Sequence, residues 1–302
     1  MTTAGTASVA FAAEQDFNGS LASTPNWFQP GVDISVTGPT IDRTQEPVRQ
    51  PDQATPAAHR PGRFNGSATV EFSLAGSAHD WEQFVFHGSD GGLPVNGGPA
   101  PSFKVFFGTE FLDDTATDFV ASGAIVTECE ISVEEDGDVT VSLTIEFAEK
   151  ADPALAPADG DITVPSAEAV YPYHGGSVTA GGVQQTNLNS ATITISSLHR
   201  LRYGLDQIAT GGVVGGIEVE VDTEAVYTEQ DQLDLATTGT SGGSLVDEAP
   251  DVVIELSNAN ATSKTYTVNG ARPDTHEWSS LVDPGDDLVE SVTFLAEDVT
   301  SA

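Results

Sequence analysis

A chain of 302 residues with 38% hydrophobic side chains can bury a sizeable core, as one large all-β domain or as two ordinary domains. Its 46 acidic against 10 basic side chains leave a net charge of −36, which excludes a basic stripe for nucleic acid, and the acids are spread through alternating segments rather than gathered in a tail, so they belong to a folded surface. Such a surface repels itself at low salt but hardly at about 1 M, where the Debye length is roughly 3 Å; with only Lys104, Lys150 and Lys264 as lysines, the composition points to work in molar salt, against the simpler reading of acidity for solubility.

In chain order, the first apolar stretch, Ala7 to Ala13, follows no basic region and is too short and weak for a signal peptide. No run approaches transmembrane length, and the chain is expected to be made and folded in the cytoplasm. From Gly38 to Phe64 there is no strand pattern, and Pro39, Pro47, Pro51, Pro56 and Pro61 punctuate the segment. Loops beyond about 12–15 residues are usually functional or disordered. This one carries Arg43, Arg49, Arg60 and Arg63 against Asp42, Glu46 and Asp52, a net of +1 that leaves −37 on the rest of the chain. A cationic arm on a polyanion invites docking onto another copy; a surface loop with locally paired arginines accounts for the same residues.

Val70, Phe72 and Leu74 then alternate as a strand. Ser77 followed by Asp80 resembles a capping box, and Trp81, Phe84 and Val85 share a helical face before Gly88, which predicts a short amphipathic helix over 78–87. The clearest alternation comes next. Ile125, Cys129, Ile131 and Val133 lead through Glu134-Glu135-Asp136-Gly137-Asp138 into Val139, Val141, Leu143, Ile145 and Phe147, a long hairpin turned by Asp-Gly. Its wet face is Thr140, Ser142, Thr144 and Glu146, with Glu128 and Glu130 as neighbours. Cys129 lies on the apolar side and, as the one cysteine, supports no disulfide framework. Ile193/Ile195, Ile217/Val219/Val221, Val252/Ile254/Leu256 and Tyr266/Val268 read as further strands, and 229–236 as a weaker helix, so the architecture is mainly β.

Gly239-Thr240-Ser241-Gly242-Gly243 matches a nucleophile elbow, but Ser244 to Pro250 is too short and acidic for the helix that an elbow needs. The six histidines are scattered without a ligand spacing, and the acidic turns at Glu134 to Asp138 and Asp283 to Asp287 lack a calcium-loop pattern. No phosphate-cradling loop is present. The expectation is a protein that is not an enzyme, with no catalytic residues, no cofactor and no metal.

Three blocks, taken in order, resemble the tail tube proteins of tailed viruses: Phe11-Ala12-Ala13-Glu14 through Thr24-Pro25-Asn26-Trp27-Phe28, leading into the arm and Gly66 to Leu74; Ser122 to Val133 with the following strand; and Leu188 to Ser197 followed by Arg200 to Leu205. The resemblance spans roughly residues 7 to 228 and fades toward strands near 251–257 and 288–295. It implies a β-sandwich or half-barrel with a short flanking α-helix, which closes into a multi-subunit barrel on assembly. It also implies rings, usually of six, stacked into the conduit for the viral genome.

On that reading, residues 1–228 form the tube domain, including the extended assembly loop 38–64, and 229–302 form a further β region that decorates the exterior. Arg43, Arg49, Arg60 and Arg63 would contact the next ring, whereas Glu128, Glu130, Thr140, Ser142, Thr144 and Glu146 would face the lumen. A channel wall without cations lets DNA pass without specific binding, because Lys and Arg would hold phosphates. The expected partners are further copies of the chain and other virion tail proteins, not a membrane, with assembly in the cytoplasm of a halophilic archaeal host and residence in the virion tail. The rival from another class is a surface-layer or adhesion domain of a halophilic cell, which shares the acidity and the alternation but needs export.

Overall fold

Alternation of apolar and polar residues becomes twenty strands among the described residues of a computed structural model, which describes residues 7–52, 54–95, 97–110, 116–158, 160–227, 249–260, 262–279 and 288–302. The first half of the chain supplies β1 (Ala7–Ala13), β2 (Trp27–Phe28), β3 (Val32–Val48), β4 (Ala58–Ser73), β5 (Phe103–Glu110), β6 (Ala116–Glu134), β7 (Thr140–Phe147) and β8 (Glu149–Lys150). Next come β9 (Ile162–Thr163), β10 (Gly176–Ala180), β11 (Val183–Gln184), β12 (Leu188–Ser196), β13 (His199–Tyr203), β14 (Ala209–Val214) and β15 (Glu218–Val226). The last are β16 (Val252–Ser257), β17 (Ser263–Asn269), β18 (Arg272–Ser279), β19 (Val289–Ala296) and β20 (Asp298–Ser301).

β6 organises the fold because its two halves serve different sheets. Its first half pairs with β5, which continues through β1 and β2 to β9. Its second half lies between β7 and β12, inside an eight-stranded antiparallel run ordered β3-β4-β7-β6-β12-β15-β19-β18. The change of partner falls around Gly123, whose φ of +63° is open to glycine at little cost, and a Cβ there would stand 2.9 Å from that of Ala148. A five-stranded sheet, β11-β10-β16-β17-β20, lies apart from this network, as does the β13–β14 hairpin. None of the sheets closes on itself. One continuous apolar core joins Val70, Ile131, Leu143, Ile193 and Val221 of the eight-stranded run to Val178, Ile254, Tyr266 and Val268 of the five-stranded sheet, as in a β-sandwich.

The long hairpin has the expected register, with Ser132 opposite Thr140 and Glu130 opposite Ser142, and Cys129 is fully buried, which raises its thiol pKa. Strands also occur where expected near 193, 219, 254, 266 and 289–296. β16 to β20 are woven into sheets with β10 and β15 rather than standing apart.

Two local expectations change. The helix over 78–87 is a single 3-10 turn, Asp80–Phe84, with His79 at its N-terminus and no side-chain cap. In a three-residue turn, positions i and i+3 eclipse, which puts Trp81 and Phe84 together into the core. The segment 38–64 is no loop but the outer halves of β3 and β4, paired as an antiparallel ribbon from Thr40–Ser67 to Val48–Ala58. Apart from Phe64, Gly66 and Ser67 at its root and half-covered Gly62, its paired residues are exposed on both faces, so selection for an apolar side imposed no alternation, and its prolines sit on a ribbon with free edges. Gly38, at φ +114°, lies at the register shift where the ribbon leaves the sheet. The expected helix at 229–236, the Gly239–Gly243 motif and the acidic turn at 283–287 fall outside the described residues.

Candidate functional site

Period-2 geometry sends one face of the eight-stranded run into the core and leaves the other polar. Reading across the registers, one row on the outer face runs Ser35, Glu71, Ser142, Glu130, Thr194, Glu220, Leu295, Arg272. The next runs Ser73, Thr140, Ser132, Thr192, Asp222, Thr293, Thr275. Thr37, Thr69, Thr144 and Glu128 make a third. Small hydroxyls dominate the centre, and β15 adds Glu218, Glu220, Asp222 and Glu224, all exposed.

Crowding of like charge marks this face electrostatically. Glu130 has a raised pKa through partial burial and through Glu128, Glu71 and Glu134. Glu220 is raised by burial and by Asp222 and Asp274, so carboxylates of β15 and of β18 reach one another. Lysine is absent from these rows.

The sequence-predicted wall residues are therefore brought together with one exception. Glu128, Glu130, Thr140, Ser142 and Thr144 share the open face, but a register shift between Val126 and Glu128 places Glu146 opposite Ile125, which is fully buried with Leu201 and Ala209 of the β13–β14 hairpin. Glu146 is half-buried there; desolvation raises its pKa, and its charge in turn raises that of Tyr203. The acids of β15 were missed because only Val219 and Val221 were read in Glu218-Val219-Glu220-Val221-Asp222, although every outward position there is acidic.

The arm arginines lie in two groups. Arg43 sits over the Phe64 ring at 5.6 Å and Arg63 over Tyr203 at 4.8 Å, both at the root. Farther out, Arg49 Nη1 donates to the Ala54 carbonyl at 3.2 Å, and Arg60 is the cross-strand neighbour of Glu46. The root is braced by the β13–β14 hairpin: Tyr203 Oη donates to the Phe64 carbonyl at 2.9 Å, the Phe64 amide donates to Gln207 O at 2.9 Å, and Gln207 Nε2 donates to Pro61 O at 3.2 Å. On the ribbon, Ile41, just inside that brace, is 48% exposed, and Val48, toward the tip, is 40% exposed.

Among the described residues, no three His, Cys, Asp or Glu side chains are arranged to hold a metal, and no helix is long and apolar enough to cross a membrane. A family model described as phage tail tube protein matches residues 2–296. The chain belongs to the phage tail tube protein family. It is a structural protein of the virion tail that builds the tube with copies of itself, and the match takes in the strands after residue 228 as well as those before it. No curated protein matches the chain by sequence.

Proposed function

We propose that the open acid-rich face of the eight-stranded run lines the bore of a tube built from stacked rings, each of six copies as the family resemblance implies, and that the viral genome passes along it without specific binding. The observation that carries this reading is the uncovered polar face itself, which across its rows holds no lysine and a single arginine, Arg272 on the edge strand β18, on a chain whose family builds tubes. Phosphates meet carboxylates and hydroxyls there rather than the ammonium groups that would hold them.

Strand parity supports ring closure. Eight antiparallel strands leave β3 and β18 as the two lateral edges, running in opposite directions. A rotation that brings the β3 of the next copy beside β18 therefore makes another antiparallel pair and leaves no edge unpaired once the ring closes. Ile34 and Val36, only half-covered at one edge, would meet the side of the sheet where Trp278 is 39% exposed. The five-stranded sheet, on the other side of the core, then faces outward with β16, β17 and β20, whereas β18 and β19 belong to the wall, so that only part of the region after residue 228 would decorate the exterior.

The ribbon and its arginines would reach the adjoining ring. An isolated two-stranded ribbon is marginal in water, so docking on an acidic neighbour both covers Ile41 and Val48 and screens the arginines. Molar salt in a halophilic archaeal host, with assembly in its cytoplasm, fits the acidity of the wall; catalysis has no part in the proposal.

Negative-stain microscopy of the purified chain in molar salt tests the reading. Hollow rods are expected from the full chain, and folded monomers or single rings without rods after replacing residues 41–62 by a short turn. Dispersed monomers at high concentration would overturn the tube geometry, and rods of undiminished length from the shortened chain would remove the role of the ribbon.

A further inference from the structure

Two histidines that neither the wall nor the ribbon uses meet beside the irregularity in β6. His199, the first residue of β13, is 3% exposed, and its Nδ1 lies 2.7 Å from the Val126 carbonyl oxygen. A carbonyl only accepts, so Nδ1 carries the proton and the neutral ring presents a lone pair at Nε2. That lone pair faces Nε2 of His87 at 2.9 Å, which makes His87 the donor. The ring centroids are 5.2 Å apart with planes inclined by 24°, so with nitrogens this close the rings meet end to end rather than face to face.

Their position gives the contact leverage. The Val126 carbonyl belongs to the place where β6 slips register against β7, and the adjoining Thr127 carbonyl accepts from the Leu198 amide at 3.0 Å. Leu198 and His199 thus clasp consecutive carbonyls of the bulge that aims Glu128 and separates it from Ile125. The same strand continues into Tyr203, which braces the ribbon through Phe64. On the other side, His87 follows the turn that buries Trp81 and Phe84.

We infer that the His87–His199 couple is an acid-sensitive lock, which holds the β6 bulge and the brace under the ribbon together while the rings are neutral and releases them when both are protonated. The lock stands on this geometry; its consequence for assembly rests on the proposed roles of wall and ribbon. A first proton can enter at Nδ1 of His87 without disturbing the N–H···N bond. A second must occupy Nε2 of His199 and so points one N–H at another.

Among the described residues, no neighbouring carboxylate is placed to soften that conflict. On β6, Glu128 is exposed and Glu130 belongs to the acidic face; on β13, Arg200 and Arg202 are exposed cations. Glu82 of the 3-10 turn accepts from Lys264, Tyr266 and Ser301, while Asp80 is half-buried beside it. In the loop after His87, Asp90 is exposed, and Asp298 of β20 accepts from the Leu93 and Val299 amides. Burial lowers the pKa of both rings, that of His199 to about 4, with the His87 ring adding to the lowering at His199. A pKa depressed by folding contributes stability that is present above the ordinary imidazole value of about 6.5 and is lost as pH falls toward about 4.

Ring-nitrogen NMR with amide exchange on the monomeric full chain tests the lock between pH 7.5 and 4. His199 is expected as the Nδ1–H tautomer, still neutral at pH 5.5, where a free imidazole is about nine-tenths protonated. After correction for intrinsic rates, exchange at the Leu198 amide and at the Gly215 amide, which donates to the Leu198 carbonyl at 2.8 Å, should rise at least about tenfold as the pH drops through the lower part of that range, the scale of one pH unit of linkage. His87→Phe, which fills the space of the half-buried ring, and His199→Asn, which keeps a donor for Val126, should each flatten that response. Titration of His199 near 6.5, or a wild-type rise in either folded variant, would overturn the inference whether or not the chain forms tubes.

Discussion

Glu14 and Glu220 carry the same carboxyl group in opposite circumstances. The Glu14 side chain is fully buried; it pairs with Lys104 at 2.9 Å and accepts from the Ser102 and Ser122 hydroxyls and from the Asn18 and Gly123 amides. Glu220 stands on the open face with Asp222 and Asp274 for company and a raised pKa. Glu82 resembles Glu14, with Lys264 at 2.7 Å and donors from Tyr266 and Ser301. Two of the three lysines in the chain are therefore placed where a carboxylate is buried, and the third, Lys150, lies over the Phe119 ring. The difference teaches that the two buried lysines serve the fold, and that the acidity of the face is left for solvent ions and a partner to balance.

Removing a cation from the buried set should produce the largest effect. Lys104→Met leaves the fully buried Glu14 carboxylate without its counter-cation at the junction of two sheets and is expected to lose about 3–5 kcal/mol in urea unfolding, with little dependence on salt. Lys264→Met should lose less, roughly 2–3 kcal/mol, because Glu82 is 14% exposed and its charge reaches solvent, whereas Glu14 is fully buried. Equal and small losses at both sites would erase the contrast between buried and open carboxylates.

The open set should respond in the reverse sense. Glu220→Gln with Asp222→Asn is expected to stabilise the monomer by about 0.5–1 kcal/mol in low salt and by nothing measurable in molar salt, as followed by thermal melting at both ionic strengths. Glu130→Gln should act more weakly, by a few tenths of a kcal/mol. Its pKa is raised by folding, so the stability tied to its proton is present below about 4.5 and is lost as pH rises through the folded value. Low-salt melting between pH 4 and 7 should therefore fall less steeply in Glu130→Gln than in the unsubstituted chain. A salt-independent destabilisation by these variants would show that the face contributes to the fold in the way the buried pairs do.

Much of the sheet was legible because β6 and β7 have one wet and one dry side, and alternation records that asymmetry directly. The same logic explains what was not legible. β3 and β4 leave the sheet as a ribbon wet on both sides, so their outer halves carry no alternation and read as a loop. The turn at Asp80–Phe84 packs Trp81 and Phe84 with a spacing that a helix and a 3-10 turn share. Glu146 continues the outward side of β7 after Thr144, yet the skip at Thr127 sets Ile125 opposite it, at the end of the face that the β13–β14 hairpin covers, and no local signal announces a bulge of that kind.

The sequence by itself determined the mainly β architecture, the long hairpin with its buried Cys129, and the separation of a cationic segment from an acidic remainder, since each is written in neighbouring residues. Only the tertiary structure decided which carboxylates are paired, which hydroxyls join the acids of β15 in one face, and that His87 meets His199. Those outcomes depend on strand order and register, which bring together residues more than a hundred positions apart, and pairing across such distances leaves no period in the chain to read.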